Sequence, residues 1–320
     1  MLKKKVLSLS VLSLALAGAL TGCGTKEESK KEEHAAHKEE KKAESVTIKH
    51  AWGETKFDKA PQKIVTLDFS FIDTLTALEV KPAGNAGVGE TKVPEYLASE
   101  VGEVTDVGER KSPNLEVLSS VKPDLIIASA DRHSMIQNEL KGIAPVIALD
   151  DNSYDEVMSN VDTIAKVLGK EKDAEAAKEA LQKKIDDTKA KVKGEPSVLV
   201  VGSFEDEFSV WIKDSFIGSL MTNVGAKYAF EGEKESTEGK AEIATITMER
   251  LAEINPDYIF LYGEDTAKFK NNPLYGSLKA VKDKHVVEVD RNLWSRGRGP
   301  VAAEKVLDEA GAVLTGEKTE

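Results

Sequence analysis

The sequence has 320 residues, a formal net charge of −12 and a single cysteine, Cys23. One cysteine excludes an internal disulfide framework, and an acidic chain without basic patches excludes nucleic-acid binding as its main role. The chain is too long for one small core, so we expect two domains after any leader segment.

The N-terminus has the order of an export signal. Lys3 to Lys5 form a basic region, an apolar stretch runs from Val6 to Leu20, and Thr21-Gly22-Cys23 form a small-residue cleavage site. The apolar stretch is shorter than the roughly 20 residues that a membrane-spanning helix needs. The segment resembles the lipobox of bacterial lipoproteins, which implies that residues 1–22 are a signal peptide and that Cys23 carries the lipid.

Residues 23–45 are predicted to form a charged, flexible tether. They are nearly all charged or small and show no apolar periodicity, so they cannot bury enough surface to fold. His34 and His37 lie in this segment three residues apart. This spacing leaves a metal-scavenging role open beside that of a solvated linker.

The remaining chain alternates short apolar runs with helical segments. In an N-terminal lobe at 46–168 the runs are Ile64–Leu67, Asp124–Ala128 and Val146–Leu149, and in a C-terminal lobe at 195–320 they are Val198–Val201, Tyr258–Tyr262 and Val286–Val289. Near-continuous apolar strands separated by helices are typical of parallel sheets covered on both faces. The pattern therefore predicts an α/β fold for each lobe.

Residues 169–194 are predicted to form a bridging helix. Good helix formers run from Lys170 to Lys193, and Gly194 and Pro196 end the segment. Apolar residues recur at nearly 3.6-residue spacing, at Ala174, Ala177, Leu181, Ile185 and Val192. Such a helix is about 33 Å long, enough to connect two lobes, although an ordinary surface helix has the same periodicity.

An internal repeat links the two halves, because Leu115–Ile127 matches Met248–Phe260. In both copies a polar residue and a proline end a helix, an aspartate favours the turn, and an apolar run enters the sheet. Both copies also keep a glutamate, Glu116 and Glu249. The helix dipole stabilises a carboxylate at this position, so a structural explanation stands beside a functional one.

From residue 46 to its end the chain resembles the periplasmic binding proteins that serve importers of siderophores, haem and cobalamin. The resemblance implies two Rossmann-like lobes joined by one long helix, with the ligand in the inter-lobe cleft. It implies that Glu116 and Glu249 contact arginines of an ABC permease. The resemblance also implies a monomeric, lipid-anchored substrate-binding protein on the outer face of the membrane, with no enzymatic activity and no cofactor.

Arginine is rare and clustered in this sequence. Of 44 basic residues only six are arginine, and Arg291, Arg296 and Arg298 lie within eight residues. A guanidinium group matches a carboxylate with two parallel hydrogen bonds, which lysine cannot do. The segment follows a strand and precedes a helix that Pro300 can open, and both locations favour a bound anion. Trp294 in this segment is predicted to form a flat apolar wall against the ligand.

Two arginines of the first half are predicted to face the same ligand. Arg110 precedes the Glu116 helix, and Arg132 follows the strand that ends at Ala128. The resemblance implies arginines in these loops of relatives that bind citrate or citrate-based siderophores. Arg250, beside Glu249, is predicted to be a surface residue.

These residues predict recognition of a ferric chelate without direct metal ligation. A citrate chelate of Fe³⁺ is anionic and supplies its own hard oxygen ligands, so ferric citrate or a citrate-type siderophore is the expected ligand. Catecholate and hydroxamate siderophores remain alternatives. His50, His133 and His285 are far apart in sequence, which argues against a metal-ion site, and His133 is a candidate ligand contact beside Arg132.

A secreted α/β enzyme is the alternative from a different class. The sequence has no Gly-x-Ser-x-Gly elbow, no His-Glu-x-x-His, no phosphate loop and no Gly-x-Gly-x-x-Gly after a strand. No sequence feature therefore supports this alternative.

Overall fold

The computed structural model describes residues 45–204, 207–232, 242–263 and 266–316. The predicted signal peptide, Cys23 and the tether as far as residue 44 lie outside the described residues. Within the described ranges, no helix has both the length and the apolar character needed to cross a membrane.

The N-terminal lobe contains a hairpin and a six-stranded sheet. Its strands are β1 (Val46–His50), β2 (Gly53–Phe57), β3 (Ile64–Thr66), β4 (Gly84–Gly87), β5 (Thr105–Glu109), β6 (Ser112–Pro113), β7 (Leu125–Ser129) and β8 (Val146–Leu149). Its helices are α1 (Phe69–Ala77), α2 (Glu95–Val101), α3 (Leu115–Val121), α4 (Gln137–Ile143) and α5 (Tyr154–Leu168). The sheet order is β6-β5-β4-β3-β7-β8, and its pairs are parallel except β5 with β6.

Strand β7 shows why this sheet is covered on both faces. Leu125 and Ile127 pack into one hydrophobic cluster, whereas Ile126 and Ala128 pack into another. Successive side chains of a strand point to opposite faces, so a fully apolar run needs helices on both sides.

Helix α6 (Glu171–Lys191) connects the lobes. Its buried Ala174 belongs to a core of the N-terminal lobe, whereas Leu181 and Ile185 belong to the core of the C-terminal lobe. One apolar stripe therefore passes from the first core into the second, and the helix serves both lobes as a rigid strut.

The C-terminal lobe has a mixed sheet. Its strands are β9 (Ser197–Phe204), β10 (Glu207–Trp211), β11 (Lys227–Tyr228), β12 (Ile243–Ile246), β13 (Tyr258–Gly263) and β14 (Val286–Glu288). Its helices are α7 (Phe216–Asn223), α8 (Met248–Ile254), α9 (Thr266–Asn271), α10 (Lys279–Lys282) and α11 (Pro300–Thr315). The order is β12-β10-β9-β13-β14, with β11 also beside β9.

The expectation of a purely parallel sheet is wrong for this lobe. β9, β13 and β14 are parallel, but β10 pairs antiparallel with both β9 and β12. β9 ends at Phe204 and β10 begins at Glu207, and so few intervening residues permit only an antiparallel neighbour, whereas a parallel neighbour needs a long crossover.

The internal repeat corresponds to two equivalent helix–turn–strand units. Helices α3 and α8 have seven residues each, and both end at a left-handed residue, Lys122 and Asn255. The repeated aspartates accept backbone N–H groups at the start of the first parallel strand of each lobe. Asp124 accepts from Lys63 at 2.7 Å, and Asp257 accepts from Ser197 at 2.7 Å. In both copies the aspartate therefore anchors the neighbouring strand in addition to favouring the turn.

Asp73 provides a second connection between the lobes. This buried residue of α1 accepts the backbone N–H groups of Val301 at 3.0 Å and Ala302 at 2.8 Å, at the start of α11. Gly299 has φ +149, and a Cβ there would lie 2.1 Å from Asp73 Oδ1. The N-terminal lobe therefore caps the last helix of the C-terminal lobe.

Candidate functional site

A cavity of about 560 Å³ lies between the lobes. Side chains of both lobes line this cavity. Six of the described lining residues are cationic and two are anionic. Five of the cations are the arginines singled out from the sequence: Arg110, Arg132, Arg291, Arg296 and Arg298. The fold thus brings together residues that are up to 188 positions apart in the sequence.

One carboxylate holds the two arginines of the N-terminal lobe. Asp68 caps α1, where it accepts the N–H of Phe69 at 2.7 Å, and it forms ion pairs with Arg110 at 3.3 Å and with Arg132. Burial alone would raise the pKa of Asp68, but Arg132, Arg110 and Arg298 together lower it below its ordinary value. Asp68 is therefore an anion that fixes two cations at the cavity wall.

His133 holds the loop of Arg110 against the loop of Arg132 and does not line the cavity. Its ring is buried, and Nδ1 accepts the N–H of Ser129 at 3.0 Å. The proton therefore lies on Nε2, which donates to the carbonyl oxygen of Arg110 at 2.7 Å. Burial lowers the pKa of His133, in keeping with a neutral ring that joins the Arg110 loop to the Arg132 loop.

The arginine-rich segment of the C-terminal lobe is a π-helical turn, Asn292–Arg296, between β14 and α11. The Arg296 guanidinium donates to Asn292 Oδ1 at 2.7 Å, and the Arg291 guanidinium lies 4.3 Å from the ring centre of Phe204. Local contacts thus orient both guanidinium groups at the cavity wall.

Trp294, which is predicted to form an apolar wall against the ligand, lies in the core and is not among the residues that line the cavity. Its side chain is only 1% exposed, stacks on Phe260 at 4.5 Å and donates Nε1–H to Glu309 at 2.6 Å. A helical turn distributes its side chains around an axis, so Trp294 points into the core while its neighbours line the cavity. The cavity is instead lined by Trp211 of β10, whose Nε1–H donates to Tyr262 at 3.1 Å.

Arg298 lies between two carboxylates. It donates Nη2–H to Glu242 at 2.9 Å and Nη1–H to the backbone oxygen of Asp151 at 2.8 Å, and the Asp151 carboxylate is 3.5 Å away. Its guanidinium also lies 5.4 Å from the ring centre of Trp211. Arg298 is therefore a buried link between the lobes as well as a cavity residue.

The helix N-terminus beside the arginines is already capped by a side chain of the other lobe. The sequence predicts that the start of the Pro300 helix favours a bound anion, but the carboxyl group of Asp73, whose pKa burial raises to about 7, occupies that position. An external ligand therefore has the guanidinium groups to bind, rather than this helix terminus.

The repeated glutamates lie away from this chemistry, on the protein surface. Glu116 and Glu249 are exposed and occupy equivalent positions in the first turns of α3 and α8. Arg250, next to Glu249, is exposed and pairs with Glu253 at 2.9 Å.

Several residues of the site were missed in the sequence. Asp68 directly follows the β3 run, where an N-cap aspartate at a strand's carboxyl end was a usable signal. Trp211, Asp151 and Glu242 gave no such signal. Within the described ranges, no cluster of three or more His, Cys, Asp or Glu side chains could hold a metal ion.

Comparison with known proteins agrees with this architecture. The pattern of the periplasmic binding proteins matches residues 64–293. Bacillus subtilis (strain 168) has YhfQ, provisionally named an ABC transporter substrate-binding lipoprotein, which is 34% identical over 324 residues and covers 96% of this chain and 97% of its own. Its Fe(3+)-citrate-binding protein YfmC is 34% identical over 309 residues, with 94% of each chain covered.

A solved structure shows the same fold. The crystal structure of the petrobactin-binding protein YclQ from Bacillus subtilis has a TM-score of 0.74 and 29% identity, over 86% of this chain and 100% of that one. All three relatives are named for binding rather than for catalysis. The chain, with its two α/β lobes joined by one long helix, belongs to the periplasmic binding protein family.

Proposed function

We propose that this protein binds a ferric chelate of the citrate type in the inter-lobe cavity and delivers it to an ABC importer. The observation that carries the proposal is the convergence of five arginines from both lobes on one cavity. A lysine-rich chain that places five of its six arginines at one site has a site suited to carboxylates.

The chemistry of such a chelate fits the cavity. Carboxylate oxygens already surround the iron, so the protein needs hydrogen-bond donors and positive charge around the complex rather than ligands for the metal. The cavity volume of about 560 Å³ lies within the range of small-molecule sites. Trp211 and Tyr262 add aromatic surface on one side.

The relatives support the class of ligand. YfmC is named for Fe(3+)-citrate, and YclQ, at similar coverage, is named for petrobactin. An iron chelate is the shared feature of these names. The excess of cationic lining favours the more anionic chelates, which places ferric citrate before a hydroxamate.

Delivery involves two further parts of the chain. Lipid attached to Cys23 would hold the protein at the outer face of the membrane, and the YhfQ name is that of a lipoprotein. The exposed Glu116 and Glu249 would dock on arginines of the permease, one from each lobe. Charge reversal at both positions should lower iron uptake by cells while leaving ligand affinity unchanged.

Tryptophan fluorescence of the full chain, titrated with ferric citrate, iron-free citrate and a ferric hydroxamate, tests the ligand assignment. We expect saturable quenching by ferric citrate. Arg296→Ala should weaken it about tenfold to a hundredfold, because one charge-assisted hydrogen bond is lost. Arg250→Ala, which removes an arginine outside the cavity, is the matched control and should bind normally.

Two outcomes would contradict this proposal. Tight hydroxamate binding without a response to ferric citrate would keep the receptor role and overturn the citrate assignment. Equal effects of Arg296→Ala and Arg250→Ala would show that the ligand lies elsewhere.

A further inference from the structure

Glu242 is an acidic side chain within a cavity built for an anion. Its side chain is 15% exposed, and Oε2 accepts the Arg298 Nη2–H at 2.9 Å. The second carboxyl oxygen, Oε1, is buried and has no hydrogen-bond partner among the described residues. One oxygen of this carboxylate is therefore left without solvation, which disfavours its charged form.

The surroundings of Glu242 oppose one another in charge. Arg298 is the contacting cation and Arg132 acts from the other lobe, whereas Asp151 is a second carboxylate that shares Arg298. Burial raises the pKa of Glu242 to about 7, with Arg298 acting against the shift and Asp151 adding to it. The group is therefore poised to change its protonation near neutral pH.

We infer that Glu242 takes up a proton when the anionic chelate binds, and that it thereby helps to determine which chelates the cavity accepts. This inference rests on the proposed function, since it concerns the same site. An ionised Glu242 would repel the incoming negative charge and would keep Arg298 neutralised. Protonation removes the repulsion and leaves the positive charge of Arg298 to the ligand.

The sign of the pH dependence follows from this linkage. Nearby negative charge raises the pKa of a carboxyl group, so a bound anion should raise the pKa of Glu242 further above its value of about 7. Binding then takes up a proton at any pH between the pKa of Glu242 in the free protein and its higher pKa in the complex. Affinity should fall by up to about tenfold for each pH unit above neutrality and should level off below it.

Isothermal titration calorimetry of the full chain with ferric citrate, at pH 8 in buffers of different ionisation enthalpy, measures this proton. We expect an uptake of about one proton per chelate bound. Glu242→Gln should bind without that uptake and should retain more affinity than the parent protein at high pH. Ferric citrate changes its own protonation equally in both titrations, so the difference between the two proteins isolates Glu242.

Glu253→Gln is the matched control, because Glu253 is an exposed glutamate that does not line the cavity. It should keep the uptake. Ferric citrate binding by the parent protein without proton uptake, or an uptake that Glu242→Gln leaves unchanged, would overturn this inference and leave the proposed function intact. Failure of the parent protein to bind ferric citrate would overturn the citrate assignment, and this inference with it.

Discussion

Each lobe pairs a buried carboxylate with arginine, but the pKa values of these two carboxylates are shifted in opposite directions. In the N-terminal lobe, Asp68 is shared by Arg110 and Arg132, and these guanidinium groups together with Arg298 lower its pKa. In the C-terminal lobe, Glu242 pairs with Arg298, and burial raises its pKa, with Asp151 adding to the shift. Both side chains are largely buried, so the balance of guanidinium groups and other carboxylates around each one shifts its pKa in opposite directions.

The lobes also differ in what else they present to the cavity. The antiparallel strand β10 of the C-terminal sheet brings Trp211 to the wall, and β13 brings Tyr262. The N-terminal lobe contributes mainly charge from loops at the ends of parallel strands. The fixed ion cluster therefore lies in the first lobe, and the aromatic and titratable surface lies in the second.

Removal of the fixed anion should have the largest effect on stability. Asp68→Asn keeps the shape of the side chain but leaves two arginines without their counterion, so the free energy of unfolding should fall by about 3 kcal/mol. Urea denaturation followed by circular dichroism measures this. Asp162→Asn, in an exposed ion pair with Lys178, is the control and should change stability by less than about 1 kcal/mol.

The stabilisation by Asp68 should also depend on pH. The pKa of Asp68 is lower in the folded protein than in the unfolded chain, so its stabilisation is present above about pH 4 and is lost as the pH falls through the folded value. The difference between the parent protein and Asp68→Asn should therefore shrink on acidification. A constant difference from pH 7 to pH 3 would contradict the ion-pair account.

The link between the lobes should have the next largest effect. Asp73→Ala leaves two backbone N–H groups of α11 without an acceptor, and we expect a loss of about 2 kcal/mol. Asp73→Asn keeps one acceptor oxygen and should lose less. Equal losses in both variants, measured by urea denaturation, would show that the carboxyl oxygens do not act as a cap.

The repeated aspartates allow a matched test of the two lobes. Asp124→Ala and Asp257→Ala each remove an acceptor at the start of a first strand, and each should destabilise by about 1 kcal/mol because the sites are partly exposed.

The effect of the Asp257→Ala substitution should depend on pH. The hydrogen bond from Lys279 and the N–H of Ser197 lower the pKa of Asp257 to about 2, so its contribution is present above about pH 4 and is lost as the pH falls through 2. Thermal unfolding at pH 7 and at pH 2 should therefore show the Asp257→Ala penalty only at the higher pH. A penalty of the same size at both values would rule out this role for the ionised carboxylate.

The smallest expected effect is spectroscopic. Trp211 lines the cavity and Trp294 lies in the core, so Trp211→Phe should abolish most ligand-dependent quenching, whereas Trp294→Phe should leave it nearly intact. Fluorescence titration with ferric citrate measures both. Loss of the signal in Trp294→Phe alone would return the ligand to the position first predicted from the sequence.

Much of the fold could be predicted because its signals are local. The apolar runs of β7 and β13, the stripe of α6 and the repeated helix–turn–strand unit all follow from side-chain periodicity and from proline and aspartate at the turns. Strands β10 and β12 were missed. The pairing of β10 with β9, and of β12 with β10, is antiparallel and depends on reversals of chain direction that periodicity does not record.

The sequence by itself determined the two α/β lobes, the bridging helix and the set of arginines, since these follow from residue type and spacing. The tertiary structure alone decided that Trp294 turns inward, that Asp73 occupies the start of α11, and that Asp68 and Glu242 face different numbers of guanidinium groups. Each of these depends on contacts between groups that are distant in the chain. Desolvation and charge at such contacts are properties of the packed molecule, so no local pattern encodes them.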